Sequence, residues 1–221
     1  MFRRILKVLG IGVLIGVTLG VVSTVFEWSD ATLWTVFAVG ALLVLTGHIA
    51  YTLTYTKRNQ EALKLLEAQK TEEYLQVMEK YYQQVKTREL KNLFRLNMTA
   101  GYCELKQYPE AEAILEELAD ARLYGMQEMV RRLNLCFCYF QRGETEKALQ
   151  LNAESEKLFN RFRKNPAYAT NFIFLDIHVA NAQGKTENLR AMLTKAQEKC
   201  TSARLQNTLD ELDALLKSKG L

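Results

Sequence analysis

The stretch from Leu93 to Gln150 constrains this chain most, because it carries the same two-helix pattern twice. LFRLNMTAGYCELKQYPEAEAILEEL is followed by RRLNLCFCYFQRGETEKALQLNAESEKL. Asn97-Met98 matches Asn134-Leu135, Tyr102 matches Tyr139, and Ala111 matches Ala148, in order. Each copy reads as a helix with an apolar stripe, a short polar turn and a second helix. A lone pair of this kind leaves its apolar face in water, so copies must stack on one another.

Punctuation residues set the bounds. Leu90 to Lys106 and Pro109 to Leu123 form a first pair, with Pro109 at a first helical position, where a missing N–H costs nothing. Gly125 separates it from Met126 to Arg142 and Glu144 to Arg163, which turn at Gly143. Pro166 is expected to open a third pair, reaching Gln183, with Thr186 to Cys200 after Gly184. Thr201 or Ser202 caps a last helix. Its Leu205, Leu209, Leu212, Leu215 and Leu216 make one apolar stripe, suited to closing the end of a stack. Only two prolines occur, which fits a nearly all-helical chain.

The N-terminal part differs in composition. No Lys or Arg occurs from Val8 to Thr56. Val8 to Phe26 and Thr32 to Tyr55 are apolar runs of membrane-spanning length, joined by the polar turn EWSD. The first run is longer than a usual signal-peptide core and no clean A-x-A site follows it. Trp28 and Trp34 fall at one interface, Tyr51 and Tyr55 near the other. Arg3, Arg4, Lys7, Lys57, Arg58 and Lys64 all lie outside the runs, so both termini are expected in the cytoplasm. Gly12, Gly16 and Gly20 place a glycine groove on one face of the first span. That groove packs either on Gly40 and Gly47 of the second span or on a membrane partner, including a second copy. His48 is the one ionisable side chain within either run and reads as a local hydrogen bonder. From Lys57 to Thr87 the chain is rich in Glu, Lys, Gln and Leu without Gly or Pro, and reads as a helical stem. It either continues the second span or breaks near Lys70-Thr71. Tyr74, Tyr81 and Tyr82 on it are a partner surface or a stripe packed on the next domain.

These residues resemble the tetratricopeptide repeat family. The first copy does so at Met98, Gly101, Tyr102, Tyr108, Ala111, Leu115 and Leu118, and the second at Leu135, Cys138, Tyr139, Gly143, Ala148 and Ser155. The third does so at Leu175, Ala180, Gly184, Leu189, Leu193 and Ala196. The family's early Trp and closing Pro are absent. The fold class is then all-α: a transmembrane hairpin (1–56), a helical stem (57–87), an α-solenoid of about three divergent helix pairs (88–200) and a C-terminal capping helix (201–221). The resemblance implies a protein-binding scaffold whose first helices line a concave groove. By register that lining is Leu93, Leu96, Ala100 and Cys103, then Val130, Leu133, Phe137 and Phe140, then Phe174, His178 and Asn181. So apolar a groove suits an amphipathic helix or peptide from a partner. Alternatively the chain's own stem, Glu61 to Val85, fills it.

Other chemistries find no support. A net charge of +4 from interspersed charges is no nucleic-acid footprint. No phosphate loop, His-Glu-x-x-His or Cys-x-x-Cys occurs. Cys136 and Cys138 point to different helix faces, as do Asp176 and His178. All four cysteines read as reduced core thiols of a cytosolic part. Asn97-Met98-Thr99 is a glycosylation sequon within a packed helix. No cofactor, metal or catalytic role is expected. The reading is a membrane-anchored interaction scaffold, multi-pass in the cell membrane. The alternative is an accessory or regulatory subunit of a membrane transport or envelope-assembly complex that acts through its hairpin.

Overall fold

The computed structural model describes residues 15–200 and 202–218. Arg3, Arg4, Lys7, Gly12, the start of the first apolar run, Thr201 and Lys219-Gly220 lie outside the described residues. Among the described residues the chain is all-helical, with ten α-helices and no strand. They are α1 (Ile15–Val25), α2 (Asp30–Glu67), α3 (Thr71–Gln84), α4 (Arg88–Glu104) and α5 (Tyr108–Glu117), the last extended by a 3-10 turn, Leu118–Asp120. α6 (Met126–Gln141), α7 (Thr145–Asn160), α8 (Ala169–Ala182), α9 (Leu189–Lys199) and α10 (Ala203–Ser218) follow. The chain divides into two compact units, 1–54 and 55–221, at a point inside α2.

In the first unit, Ser29 caps α2, its Oγ accepting from Thr32 N at 3.3 Å. α2 is long and apolar enough to cross a bilayer by length and composition, and α1 is shorter. Trp34, Phe37, Leu42, Leu43, Val44 and Leu45 are exposed. The expected packing of glycine on glycine is not made: a Cβ placed on Gly16, Gly20, Gly40 or Gly47 would meet nothing within 4 Å. These glycines bring no other backbone into close approach.

The second unit is built from one repeated device. The helix that opens each pair ends on a left-handed residue: Gln69 (φ 60°), Lys106 (58°), Gly143 (76°) and Gly184 (72°). One residue later the same hydrogen bond closes each turn: Lys70 N to Leu65 O, Gln107 N to Tyr102 O, Glu144 N to Tyr139 O and Lys185 N to Ala180 O, all 2.9 Å. The pairs are therefore α2/α3, α4/α5, α6/α7 and α8/α9. Glycine adopts this conformation freely, whereas Gln69 and Lys106 do so at a cost of about 1–2 kcal/mol each.

Residues 57–87 do not stand apart as a stem. α2 stops at Glu67 and α3 turns back against α4. Tyr74 and Met78 are fully buried, and Tyr74 OH donates to Asn97 O at 2.7 Å. Gly101 of α4 is what admits this contact, because a Cβ there would stand 2.8 Å from Leu75 Cδ2 and 3.0 Å from Tyr74 Cδ1.

α2, α4, α6 and α8 run side by side in one direction. Asn97 Nδ2 donates to Asn59 Oδ1 at 2.8 Å, 38 positions back. Asn134 Nδ2 donates to Thr99 Oγ1 at 3.3 Å, 35 positions back. Phe137 and Phe174 pack edge to face at 5.7 Å. One apolar cluster gathers Leu96, Ala111, Leu115, Leu135, Cys138 and Ala148, and a second Met129, Leu133, Cys136, Phe159, Phe172 and Leu175. The third joins Phe174, Ile177, Leu189 and Leu193 to Leu209, Leu212 and Leu216 of α10.

Two helix starts differ from the sequence reading. Pro166 does not open α8: Asn165 Oδ1 and O accept from Ala167 N and Tyr168 N in a turn, and the helix begins at Ala169. α9 begins at Leu189, after a longer connection than in the earlier pairs. Ser202 caps α10, its Oγ accepting from Leu205 N at 3.3 Å.

Candidate functional site

The parallel helices α4, α6 and α8 share a concave side, and α10 is the fourth helix on it. Asn97, Asn134, Asn171 and Thr208 recur at one constant spacing, as do Ala100, Phe137, Phe174 and Glu211. α10 thus stands in the register of an opening helix. Between these helices lies a cavity of about 320 Å3. Ala100, Cys103 and Glu104 of α4, Asn134, Phe137 and Gln141 of α6, and Asn171 and Phe174 of α8 line it. Leu205, Asn207, Thr208 and Glu211 of α10 complete the lining, with Lys106 and Tyr108 from the α4–α5 turn.

α10 is held by apolar burial and by ion pairs. Leu209 and Leu216 are almost wholly buried. Lys106 Nζ meets Glu211 Oε1 at 3.1 Å across the mouth of the cavity, and Arg190 Nη1 meets Asp213 Oδ1 at 2.5 Å. Ser202 Oγ donates to Glu67 Oε2 at 2.6 Å. Both members of the Lys106 pair are 64% exposed, so that contact contributes little. The mouth is electronegative. Burial, then Cys103 and Glu211, push the Tyr108 phenol up to about 12.

Of the residues expected on the groove, Ala100, Cys103, Phe137 and Phe174 come together around the cavity. Leu96 and Leu133 go into the packing between helices instead, and Val130 sits between two apolar clusters. Phe140 stacks on His178 at 5.4 Å, with Phe174 and Phe137 also against that imidazole. Leu93 and Asn181 are half-buried and away from the cavity lining. The stem does not fill the groove, since no residue between Glu61 and Val85 lines the cavity and α10 does. The lining is also more polar than expected. Gln141, Asn171 and Asn207 have no side-chain partner among the described residues. Helix burial explains the shift: the apolar positions of α4 and α6 are consumed by stacking, and amides are left facing inward.

The remaining reactive groups are structural. Asp176 holds Arg163 through two hydrogen bonds and points away from His178. Cys103 and Cys138 lie 3.8 Å apart as free thiols. Burial pushes the Cys136 thiol up to about 12. Asn97 of the sequon is bonded to Asn59 inside the stack.

Comparison with protein families, curated proteins and solved structures finds no match.

Proposed function

We propose that this chain is a membrane-anchored interaction scaffold whose tetratricopeptide-like solenoid captures a short segment of a partner protein in the α4–α6–α8–α10 cavity. The observation that carries the reading is the repeated inward stripe of Asn and Phe positions ending in that cavity. Asparagine and glutamine amides both donate and accept, which matches the alternating groups of an extended peptide backbone. Phe137 and Phe174 offer it an apolar floor. A partner helix is the poorer fit: one turn of helix, about 10 Å across and 5.4 Å long, occupies about 400 Å3 and overfills the cavity. The four identical turns support the repeat reading and raise the number of pairs from three to four.

The anchoring half rests on the apolar surface of α2. Monomeric soluble proteins rarely expose so large an apolar patch. In this reading 1–56 spans the cell membrane as a two-span hairpin with both termini in the cytoplasm, by the placement of Arg3, Arg4, Lys7, Lys57 and Arg58. The scaffold binds and does not catalyse.

A photo-crosslinking amino acid in place of Phe137, in the full chain in its native membrane, tests the capture. An adduct that forms from Phe137 but not from exposed Gln150 on α7, and that Asn171→Ala weakens, is the expected result. Equal labelling from both positions refutes it.

A second reading, an accessory subunit working through the hairpin, is favoured by the open space at Gly16, Gly20, Gly40 and Gly47. Such a face accepts another helix, from a partner or from a second copy. Gly16→Leu with Gly20→Leu would then abolish association while leaving the cavity adduct intact.

A further inference from the structure

The second unit has two unlike edges. Because the opening helices are parallel, the connections that lead into α4, α6 and α8 fall along one edge. Tyr55, where the unit begins on α2, is on the same edge, since its ring meets Phe94 near the start of α4 at 6.3 Å. Lys86 and Arg88, Arg122, and Arg161, Arg163 and Lys164 stand in these three connections against only Glu89 and Asp120. Among the described residues Arg88, Arg122 and Lys164 have no ion-pair partner, and all three are exposed. On the opposite edge the cations are engaged: Lys70 with Glu73, Lys106 with Glu211, Arg142 with Glu112 and Glu144.

The basic edge also carries the exposed apolar groups. Three large hydrophobic side chains of the second unit are exposed among the described residues. Tyr124 (72%) and Met126 (44%) are both in the connection into α6, beside Arg122, and only Leu105 (36%) is elsewhere. Packing explains neither. An aromatic ring and a thioether flanked by unpaired cations is the composition that partitions into the headgroup layer of an anionic bilayer.

We infer that the edge carrying Arg88, Arg122, Tyr124, Met126, Arg161 and Lys164 docks on the surface of an anionic phospholipid bilayer. This rests on the anchoring reading, which tethers the edge at Tyr55 to a membrane and keeps it near the headgroups. Docking lays the stack against the bilayer and fixes which way the cavity faces. Each cation removed weakens the contact about fivefold, the equivalent of about 1 kcal/mol.

The test is hydrogen exchange on the full chain in lipid nanodiscs, of phosphatidylcholine alone or mixed with phosphatidylglycerol. Residues 85–88, 121–127 and 161–166 should exchange more slowly in the mixed discs, and added salt should cancel the difference. Arg122→Glu with Arg161→Glu and Lys164→Glu should abolish it, and Tyr124→Ser should reduce it with the charge intact. Equal exchange of these segments in both discs, with the chain still inserted, overturns the inference and leaves the anchor standing. Release of the chain by alkaline carbonate overturns the anchor instead. Flotation of the released protein with phosphatidylglycerol vesicles then decides the docking, and failure to float refutes it.

Discussion

Leu209→Ala isolates what holds α10 across the cavity. Leu209 is fully buried among Ile177, Leu189, Leu193 and Ala196, with Leu212 and Leu216 beside it. Removing a buried isobutyl group costs about 2–5 kcal/mol, the larger figure where the site cannot collapse. The ion pairs on the other face of α10 are a different case. Lys106–Glu211 is exposed on both sides, and such pairs are worth about 0–1 kcal/mol. Glu211→Gln should therefore be nearly silent and Leu209→Ala severe. Against a typical domain stability of about 5–15 kcal/mol, the loss at Leu209 is a large fraction. The assay is urea denaturation of the full chain in detergent, followed by circular dichroism, with hydrogen exchange on α10. α10 is the terminal helix, so Leu209→Ala should speed exchange in 203–218 before α4 or α6 loosens. If Glu211→Gln costs as much as Leu209→Ala, or Leu209→Ala costs less than about 0.5 kcal/mol, α10 does not pack as described.

Glu128→Gln should destabilise by up to about 3–5 kcal/mol, because Arg131 is buried and keeps only Leu115 O as partner. Burial raises the Glu128 carboxyl, but hydrogen bonds from Arg131 and Arg132 outweigh it and hold it below its ordinary 4.5. Its stabilisation is then present above that value and fades as pH falls through the lower folded value, and a guanidinium melt series in acid should lose this dependence in the variant. Tyr108 has the opposite sign. Its phenol rises from 10.0 to about 12, so its contribution holds below 10.0 and is lost as pH climbs through about 12. Tyr108→Phe should flatten thermal stability across that interval. Gly101→Leu should destabilise by about 1–3 kcal/mol or more through Leu75 and Tyr74, and Leu75→Ala should recover part of it in a double-mutant cycle.

The helix pairs were legible because their apolar stripes and two of their turns carry strong signals. Gly143 and Gly184 mark turns by residue type. Gln69 and Lys106 make the same turn without glycine, so the first pair read as a continuous stem and only its break near Lys70 showed. The groove was half legible. Phe137 and Phe174 follow from helical register, but Leu96 and Leu133 are on the flank that stacks, a choice set by helix rotation and not by spacing. The α10 contribution was missed for a clear reason. Aligning Ala111, Ala148 and Leu189 follows the second helices, where the long connection before α9 breaks the register. Asn97, Asn134, Asn171 and Thr208 follow the opening helices, where it is kept, and they lead to α10.

The closure of the concave side by α10 is tested most directly by zero-length carbodiimide coupling of the full chain, read by peptide mass spectrometry. Among the described lysines, Lys70, Lys147 and Lys217 pair with carboxylates three or four residues away. Lys106 alone of these reaches across the fold, to Glu211 at 3.1 Å. The account expects an amide between Lys106 and Glu211 at low coupling, within monomers and lost in Leu209→Ala. Local links without the Lys106–Glu211 bond would place α10 elsewhere and remove the cavity on which the proposed capture depends.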